Sequence, residues 1–336
     1  VVVCCFMDFR PYPKIELHLH LDCSLSFAVV QQLDPSVTEE IYRSDFIAPN
    51  RCNDLVDYIR RAEKPIALMQ TPEQLRAVTL DLFDQLKADG LIYAEIRFAP
   101  LLHVAKGMTA TQVVETVEAA TREAIVRTGV EAGLILCTLR HYNEEQSLTT
   151  VKLVEAFQGT RVVGFDVAGD EAGYPVQAHE SAFEYAKQKG LSCTAHAGEA
   201  CGPKSVWEVL KHFRPSRIGH GVRSIEDPAL MEHLKAHDIH LEVCPNSNLQ
   251  TNIYQRIEDH PADRILRSGV SMSVNTDART VTPTTLSDEY ALLHRVFGWT
   301  LADFRHCNRE AVRHCFATPA LKERLSQQVE AGYMAD

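Results

Sequence analysis

The sequence is short of positive charge. Its 34 lysine and arginine residues stand against 45 aspartate and glutamate residues, which gives a formal net charge of −11. Nucleic-acid backbones and anionic membrane surfaces bind basic proteins, so this balance argues against both kinds of partner. The sequence also lacks any apolar run of roughly 18 residues, the length that a membrane-spanning helix needs. The apolar start VVVCCF is too short for a signal peptide, and we expect a soluble protein.

Paired cysteines and a glycine-rich phosphate loop are also missing. Ten cysteines are scattered along the chain without a CxxC pair, which argues against a disulfide framework and favours reduced thiols in a cytoplasmic protein. No glycine-rich turn follows the first predicted strand, although an open doubly wound sheet that binds nucleotides usually carries one there. That fold is therefore the second choice for this chain.

The sequence does contain a regular alternation of strand-like and helix-like segments. The periodicity predicts strands at eight places: 14–22, 91–98, 132–140, 162–168, 191–196, 217–221, 239–244 and 271–276. Between them lie segments with helical spacing, such as TPEQLRAVTLDLFDQLKADG, in which one face carries Leu75, Val78, Leu82 and Leu86. Repeated βα units predict a parallel sheet, and eight of them match an α/β fold of the (β/α)8 TIM barrel type.

The longest interval between predicted strands, 24–89, is helix-rich and contains DLVDYIRRAEKPIALMQ. In a barrel this excursion between strands 1 and 2 would lie over the carboxyl-terminal mouth, where active sites form. Its apolar residues would either close over a substrate like a lid or simply pack against the barrel. No linker-like segment divides the chain, so we expect a single domain over 1–336.

A first group of candidate functional residues occurs in PKIELHLHLDCS. Side chains two residues apart lie on the same face of a strand, so His18, His20 and Asp22 would point one way and the leucines between them the other. An ordinary half-buried strand could turn these polar groups toward water. A metal site is the alternative, and the ends of the other predicted strands favour it.

Further candidates occur where three other predicted strands end. The fifth ends in CTAHAGE with His196 and Glu199. The sixth carries His220 in RIGHG, and the eighth runs into VNTDA with Asp277. Because the carboxyl ends of barrel strands converge on one mouth, these side chains would meet the pair of histidines from the first strand.

Three imidazoles and one carboxylate are typical of a catalytic zinc site, which keeps one position open for water. We predict one zinc ion per chain, bound by His18, His20, His196 and Asp277. Zinc would lower the pKa of the bound water, and His220 would orient or deprotonate that water. Glu199 would deliver a proton to the substrate.

With these residues in place, the chain resembles the adenosine deaminase family of the metal-dependent hydrolase superfamily. The motifs that carry the resemblance occur in the family's order between residues 13 and 278: PKIELHLHLD, FDVAGDE, TAHAGE, RIGHGV, LEVCPNSN and SVNTD. The resemblance implies a TIM barrel and hydrolytic deamination at C6 of an adenine nucleoside, in which a zinc-bound hydroxide attacks the ring and ammonia leaves. Adenosine or 2′-deoxyadenosine would yield inosine or 2′-deoxyinosine.

The resemblance also implies roles for individual residues. The implied catalytic residues are Glu199, His220 and Asp277. The implied substrate-binding residues are His20, Asp22 and Gly169. In the family pattern Glu199 protonates purine N1 and His220 acts on the hydroxide. The sugar would contact Asp22, and the backbone N–H of Gly169 would meet N3, a close approach that a side chain would hinder.

Two positions depart from the family pattern. Cys23 stands where glycine is usual, and we expect its thiol to pack rather than react. Ala278 stands where a second aspartate usually hydrogen-bonds purine N7. A methyl group cannot make that bond, and its loss would cost about 1–3 kcal/mol if N7 is buried without another donor. Either water or Arg279 would compensate, or the preferred nucleoside differs from adenosine.

Other functions are less well supported. A two-metal amidohydrolase usually carries a lysine at the end of strand four, and VVGFDVAGDE has none. A cytidine-deaminase zinc site begins with HxE, as HLEVCP does, but needs a PCxxC that is absent. We therefore interpret His240 and Glu242 as ordinary strand and site-wall residues. A non-catalytic binding protein would have lost a ligand or the proton donor. A deaminase of a modified adenine nucleoside, such as aminodeoxyfutalosine, is the nearest alternative.

Overall fold

The computed structural model describes residues 7–334. The apolar start at 1–6, with Cys4 and Cys5, lies outside the described residues. The described cysteines are free thiols, as their spacing predicts: Cys23, Cys52, Cys137, Cys193, Cys201, Cys244, Cys307 and Cys315. Within 7–334 no helix is both long enough and apolar enough to cross a membrane.

Eight strands form at the eight predicted places. They are β1 Lys14–His20, β2 Leu91–Phe98, β3 Glu131–Leu139, β4 Val162–Ala168, β5 Thr194–Ala197, β6 Arg217–His220, β7 His240–Val243 and β8 Met272–Val274. The last four strands are shorter than predicted. The segments that follow β5 and β8 carry the predicted site residues Glu199 and Asp277.

The strands pair in sequence order, and every pairing is parallel. β1 to β4 form one four-stranded sheet and β5 to β8 form another. Two isolated parallel bridges link them, Phe165 with Cys193 before β5 and Leu19 with Asp277 after β8. The sequential order of parallel strands, with helices between them, is that of a (β/α)8 barrel, which confirms the predicted fold class.

Fifteen α-helices occur within the described residues: α1 Phe27–Leu33, α2 Glu39–Asp45, α3 Leu55–Ile59, α4 Glu63–Ala67, α5 Pro72–Ala88, α6 Ala110–Thr128, α7 Glu144–Ala156, α8 Glu180–Gln188, α9 Pro203–His212, α10 Pro228–Ala236, α11 Pro245–Gln250, α12 Ala262–Ser268, α13 Leu286–Phe297, α14 Leu301–His314 and α15 Pro319–Tyr333. The best predicted of them, α5, begins at Pro72 after Thr71, whose hydroxyl accepts the N–H of Gln74. Its four predicted apolar residues are buried.

The segment 24–89 contains α1 to α5, as its composition predicts. Leu55 and Tyr58 of α3 pack in one apolar cluster with Ala278 and Val281, which follow β8. This contact brings the excursion to the end of the strands that carries the predicted site.

The strands also bury charged side chains. We call five of these residues the charged layer: Glu95, Arg97, Asp166, Arg217 and Glu242, each 0% exposed. They come from β2, β4, β6 and β7. Buried charges are costly unless they are paired, so we expect the side chains of this layer to form ion pairs.

Candidate active site

Four strand ends bring the predicted residues together. His18 and His20 lie on β1, His196 lies on β5, His220 ends β6, and Asp277 comes just after β8. The backbones of His220 and Asp277 are left-handed, with φ of 59° and 66°. Residues other than glycine rarely adopt this conformation, and where they do the surroundings often hold a functional side chain in place.

The ring nitrogens and the aspartate oxygen approach one another closely. Asp277 Oδ1 lies 3.3 Å from His18 Nε2 and 3.5 Å from His20 Nε2. His20 Nε2 lies 3.2 Å from His196 Nε2. Ligands about 2.1 Å from a tetrahedral zinc ion are about 3.4 Å apart, so these separations suit one metal ion. His220 is close by, because four ligand atoms lie within 4.8 Å of one another, one each from His18, His196, His220 and Asp277.

Buried carboxylates decide which ring nitrogen faces this centre. His18 Nδ1 lies 2.8 Å from Glu242 Oε2, and His196 Nδ1 lies 3.1 Å from Asp166 Oδ2. An ionised carboxylate only accepts hydrogen bonds, so each neutral imidazole keeps its proton on Nδ1 and presents a lone pair at Nε2. Within the described chain, buried His18 Nε2 has no hydrogen-bond partner. Lone pairs that face each other and a carboxylate oxygen repel unless a cation lies between them, so the group fits a divalent metal ion.

The second oxygen of Asp277 is held by a serine. Ser247 Oγ donates a hydrogen bond of 2.6 Å to Asp277 Oδ2, which leaves Oδ1 for the centre. Ser247 lies in the LEVCPNSN motif, but no sequence rule distinguishes it from its neighbours. The motif was the only signal that could have indicated it.

Glu242 has a larger role than the ordinary strand residue predicted from the sequence. Its Oε2 accepts hydrogen bonds from His18 and from Arg97 Nη2, the latter at 2.7 Å, and its Oε1 lies 2.8 Å from Arg217 Nε. Arg97 Nη1 also donates to Asp166 Oδ2 at 3.0 Å. Burial raises the pKa of Glu242, but the charges of Arg97 and Arg217 outweigh burial and hold that pKa well below its usual range. One guanidinium therefore holds both carboxylates that orient the histidines.

His240, by contrast, behaves as predicted for a strand residue. Its ring nitrogens lie 2.8 Å from Ser271 Oγ and 2.9 Å from Ser273 Oγ. Its ring stacks on His314. Because both of its nitrogens have these partners, the HxE segment does not form a second zinc site of the cytidine-deaminase type.

Glu199 and His220 form an acid and imidazole pair beside the centre. Glu199 Oε2 lies 3.5 Å from His220 Nε2, and the side-chain amide of Asn248 donates to His220 Nδ1 at 3.1 Å. Burial raises the pKa of Glu199 well above its usual range, and the charges of Asp277 and Glu171 add to that shift. Burial also lowers the pKa of His220. A protonated carboxyl beside a neutral imidazole is suited to proton transfer.

A cavity of about 420 Å³ opens onto these groups, a size typical of small-molecule sites. The predicted residues that line it are His20, Asp22, Gly169, His196, Glu199, His220 and Asp277. Gly169 has φ of +98°, which favours glycine at this position. His18 is fully buried behind the wall.

Apolar side chains from the excursion line another part of the cavity. We call Leu55, Tyr58, Ile59 and Ile66, from the α3–α4 region, the helical cover. Leu102 and Leu139, which follow β2 and end β3, continue this apolar wall. A flat aromatic ring would find complementary surface there.

Asp22 has a neighbouring imidazole that was not predicted. His103 donates from Nδ1 to the Met69 carbonyl at 3.0 Å, and its buried Nε2 lies 4.0 Å from Asp22 Oδ2. Burial raises the pKa of Asp22 to about 6, although the backbone of Ala99 acts to lower it. Asp22 is thus a buried, readily protonated carboxyl at the cavity wall.

The two departures from the family pattern lie together. Cys23 and Ala278 both line the cavity, and Cys23 packs against the apolar cluster that contains Ala278. Burial raises the pKa of the Cys23 thiol well above its usual range, as suits a packing residue. The hypothesis that Arg279 replaces the missing aspartate is wrong. Its buried guanidinium donates to Glu16 and Asp89, each at 3.0 Å, and is already neutralised there.

The chain is similar to known proteins over almost its whole length. Residues 13–332 match the family model described as "Adenosine deaminase". An adenosine deaminase of Haemophilus ducreyi is 36% identical over 339 residues, which cover 97% of this chain and 98% of that protein. The adenine deaminase of Arthrobacter aurescens superposes with a TM-score of 0.89 at 26% identity, over 96% of this chain and 100% of that one. An N6-mAMP deaminase of Arabidopsis gives 0.86 at 25% identity, over 96% and 98%.

Proposed function

The chain belongs to the adenosine deaminase family, and we propose that it catalyses the zinc-dependent hydrolytic deamination at C6 of adenosine or 2′-deoxyadenosine. Membership makes it a hydrolase of C–N bonds in cyclic amidines that acts on adenosine-like small molecules. The zinc ion, the particular nucleoside and the roles of the site residues are parts of the proposal.

One observation carries the proposal. Imidazole lone pairs and one carboxylate oxygen converge beside a cavity large enough for a nucleoside. The ligand set suits zinc, which accepts borderline nitrogen donors together with oxygen. We assign as ligands His18, His20, His196 and Asp277. Zinc bound there would supply an acidified water at neutral pH.

The other residues bind the ring and move protons. Glu199, kept protonated by its buried surroundings, delivers its proton to N1, so that C6 becomes more electrophilic and the ring can accept a pair of electrons. His220 orients the attacking water. The backbone N–H of Gly169 fixes the ring at N3, and Asp22 accepts a hydrogen bond from the sugar.

The charge of the cavity favours a nucleoside over a nucleotide. Among the described residues that line it, Arg60 is the one arginine or lysine, against acidic side chains at Asp22, Glu63 and Asp170. These carboxylates would repel a phosphate dianion, and a single arginine offers few donors to offset that repulsion. An adenosine with an apolar 5′ group is the second candidate, because the helical cover offers it apolar surface.

We also propose that 1–336 work as one catalytic domain in which the 24–89 excursion acts as a lid. The contact of α3 with residues after β8 supports this role. The free state of the described cysteines supports a cytoplasmic location.

A substrate panel tests the proposal. Adenine, adenosine, 2′-deoxyadenosine, 5′-modified adenosines, AMP and N6-methyl-AMP are compared by the loss of purine absorbance. Adenosine or 2′-deoxyadenosine should give the highest kcat/KM, and dialysis against a chelator should abolish turnover until zinc is restored. Preference for AMP, or full activity after complete chelation, would contradict it.

Glu199→Gln gives the sharpest single test. The variant should bind zinc and nucleoside normally, while kcat falls by about 10²–10⁴-fold because the proton donor is lost. Zinc content by elemental analysis and nucleoside binding by calorimetry are the controls. Turnover close to that of the native enzyme would remove Glu199 from the mechanism.

A further inference from the structure

Four donors converge on one buried carboxylate next to the active site. Glu171 Oε1 accepts hydrogen bonds from the N–H of Gly198 at 2.7 Å and from the hydroxyl of Ser205 at 2.5 Å. Its Oε2 accepts the N–H of Glu199 at 3.0 Å and that of Cys201 at 2.9 Å. Glu171 is only 6% exposed. A carboxylate has about four acceptor sites, so three N–H groups of the turn after β5 and one hydroxyl of α9 satisfy this one completely.

The turn 198–201 depends on side chains for its shape. It lies between β5 and α9, so no helix or strand ladder satisfies its backbone. Gly198 begins it with φ of +68°, and a Cβ there would lie 2.6 Å from Val206 Cγ2. The carbonyls of Gly198 and Ala200 accept hydrogen bonds from Arg223, through its backbone N–H at 3.1 Å and its guanidinium at 3.0 Å. Three of the four N–H groups of the turn, those of Gly198, Glu199 and Cys201, donate to Glu171.

We propose that Glu171 is a positioning residue that fixes the turn 198–201 and thereby holds the Glu199 carboxyl against His220 and the substrate ring. The inference rests on the proposed function, in which Glu199 supplies the proton. Glu171 lies two residues beyond Gly169, so the same contact joins the loop after β4 to the turn after β5. The proton donor and the backbone N–H that meets N3 are therefore held at a fixed distance from each other.

The expected effect follows from geometry. Without the carboxylate, three N–H groups of the turn lose their acceptor and the turn must move to find others. A displacement of about 1 Å at a reacting group can lower the rate by about 100-fold. Glu171→Gln keeps one acceptor oxygen, so we expect kcat to fall by about 10–100-fold while KM changes less than about 3-fold.

Graded variants separate positioning from loss of fold. Ser205→Ala removes one donor and leaves the backbone contacts, so its kcat should stay within about 3-fold of native. Asp227→Asn is the matched control, because Asp227 also accepts N–H groups, from Ala229, Leu230 and Trp207, but caps α10 instead. It should lower the melting temperature without lowering kcat. Equal losses of kcat in both Glu171→Gln and Asp227→Asn would overturn the proposal.

A double-mutant cycle tests whether Glu171 acts through Glu199. In the Glu199→Gln background, Glu171→Gln should lower kcat less than about 2-fold further, because the group that it positions is already disabled. Additive losses would contradict the proposal. If the native enzyme deaminates no adenine nucleoside, the proposed function itself is wrong. That outcome differs from a failure of the double-mutant cycle, which needs an active native enzyme.

Ligand binding gives a readout that does not depend on turnover. Glu171→Gln should weaken binding of purine riboside, whose hydrated form needs a proton at N1. Binding of 1-deazaadenosine, which has no N1, should change less than 2-fold. Equal weakening of both ligands would assign Glu171 a structural role only.

Discussion

The charged layer and the helical cover lie at the same site and have opposite chemistry. In the layer, Arg97 joins Glu242 and Asp166, and each carboxylate then fixes one histidine. The cover presents apolar side chains, and two of its members, Leu55 and Tyr58, pack with Ala278. Directional hydrogen bonds allow one arrangement of the side chains, whereas apolar contacts tolerate several.

Because of this difference, the two regions should affect different properties of the site. The layer orients the histidines that we propose as metal ligands, so changes there should act on metal affinity first. The cover and its neighbours determine what fits the cavity, so changes there should act on the choice of substrate. Glu289 provides a third case, because its buried carboxyl forms no ion pair within the described residues, and the comparison shows what the arginines of the layer contribute.

The largest expected effect comes from Arg97→Met. Loss of the guanidinium releases both orienting carboxylates, and loss of one such partner typically lowers metal affinity by about 10–100-fold. We therefore expect zinc affinity to fall at least 100-fold, measured by competition with a chromophoric chelator. Arg217→Met is the matched variant, because Arg217 contacts Glu242 but has no contact with Asp166 in the described structure. Its effect should be smaller.

Folding of these variants is monitored by circular dichroism, because breaking a buried ion pair can destabilise a protein by about 3–5 kcal/mol. Glu242→Gln keeps the shape of the side chain and, like Arg97→Met, should lower zinc affinity. Native zinc affinity in folded Arg97→Met would refute the role of the charged layer.

A smaller effect is expected from Ala278→Asp at the cavity wall. The apolar cluster around residue 278 would raise the pKa of the new carboxyl, so that its proton can donate to N7 of the purine. A gain of about 1–2 kcal/mol corresponds to about 5–30-fold in kcat/KM for adenosine. The comparison substrate is 7-deazaadenosine, which lacks N7 and should not benefit. A Cys23→Gly/Ala278→Asp double variant restores the usual pair and should gain at least as much.

Equal gains for both nucleosides would show that the new carboxyl acts by something other than a bond to N7. No gain for adenosine would mean that a water molecule already serves N7.

The last expected effect, from Glu289→Gln on α13, concerns the pH dependence of stability and leaves the active site unchanged. Glu289 is fully buried, and burial raises its pKa from 4.5 to about 8, although hydrogen bonds from Asn246 act to lower it. Between these values unfolding releases a proton, so the free energy of unfolding should fall with rising pH by up to about 1.4 kcal/mol per unit. Glutamine cannot titrate, so the free energy of unfolding of the variant should fall less steeply as the pH rises. Urea unfolding at several pH values between 5 and 8 measures the slopes, and equal slopes would contradict the assignment.

The sequence by itself determined the eight strands, their order and the identity of the residues that meet at the strand ends. These features are local or follow from one rule, because alternation predicts a strand and parallel strands bring their carboxyl ends to one edge. His18, His20, His196 and Asp277 could be selected in this way before any contact was known.

Only the tertiary structure decided how those residues are held. Glu242 reaches His18, and Asp166 reaches His196, across strands that are distant in the chain, so no spacing rule predicts the pairs. The same reason explains the error at Arg279, whose partners Glu16 and Asp89 lie far away in sequence. A residue's chemical type can be read from sequence, but its hydrogen-bond partner is selected by packing between segments that local sequence does not relate.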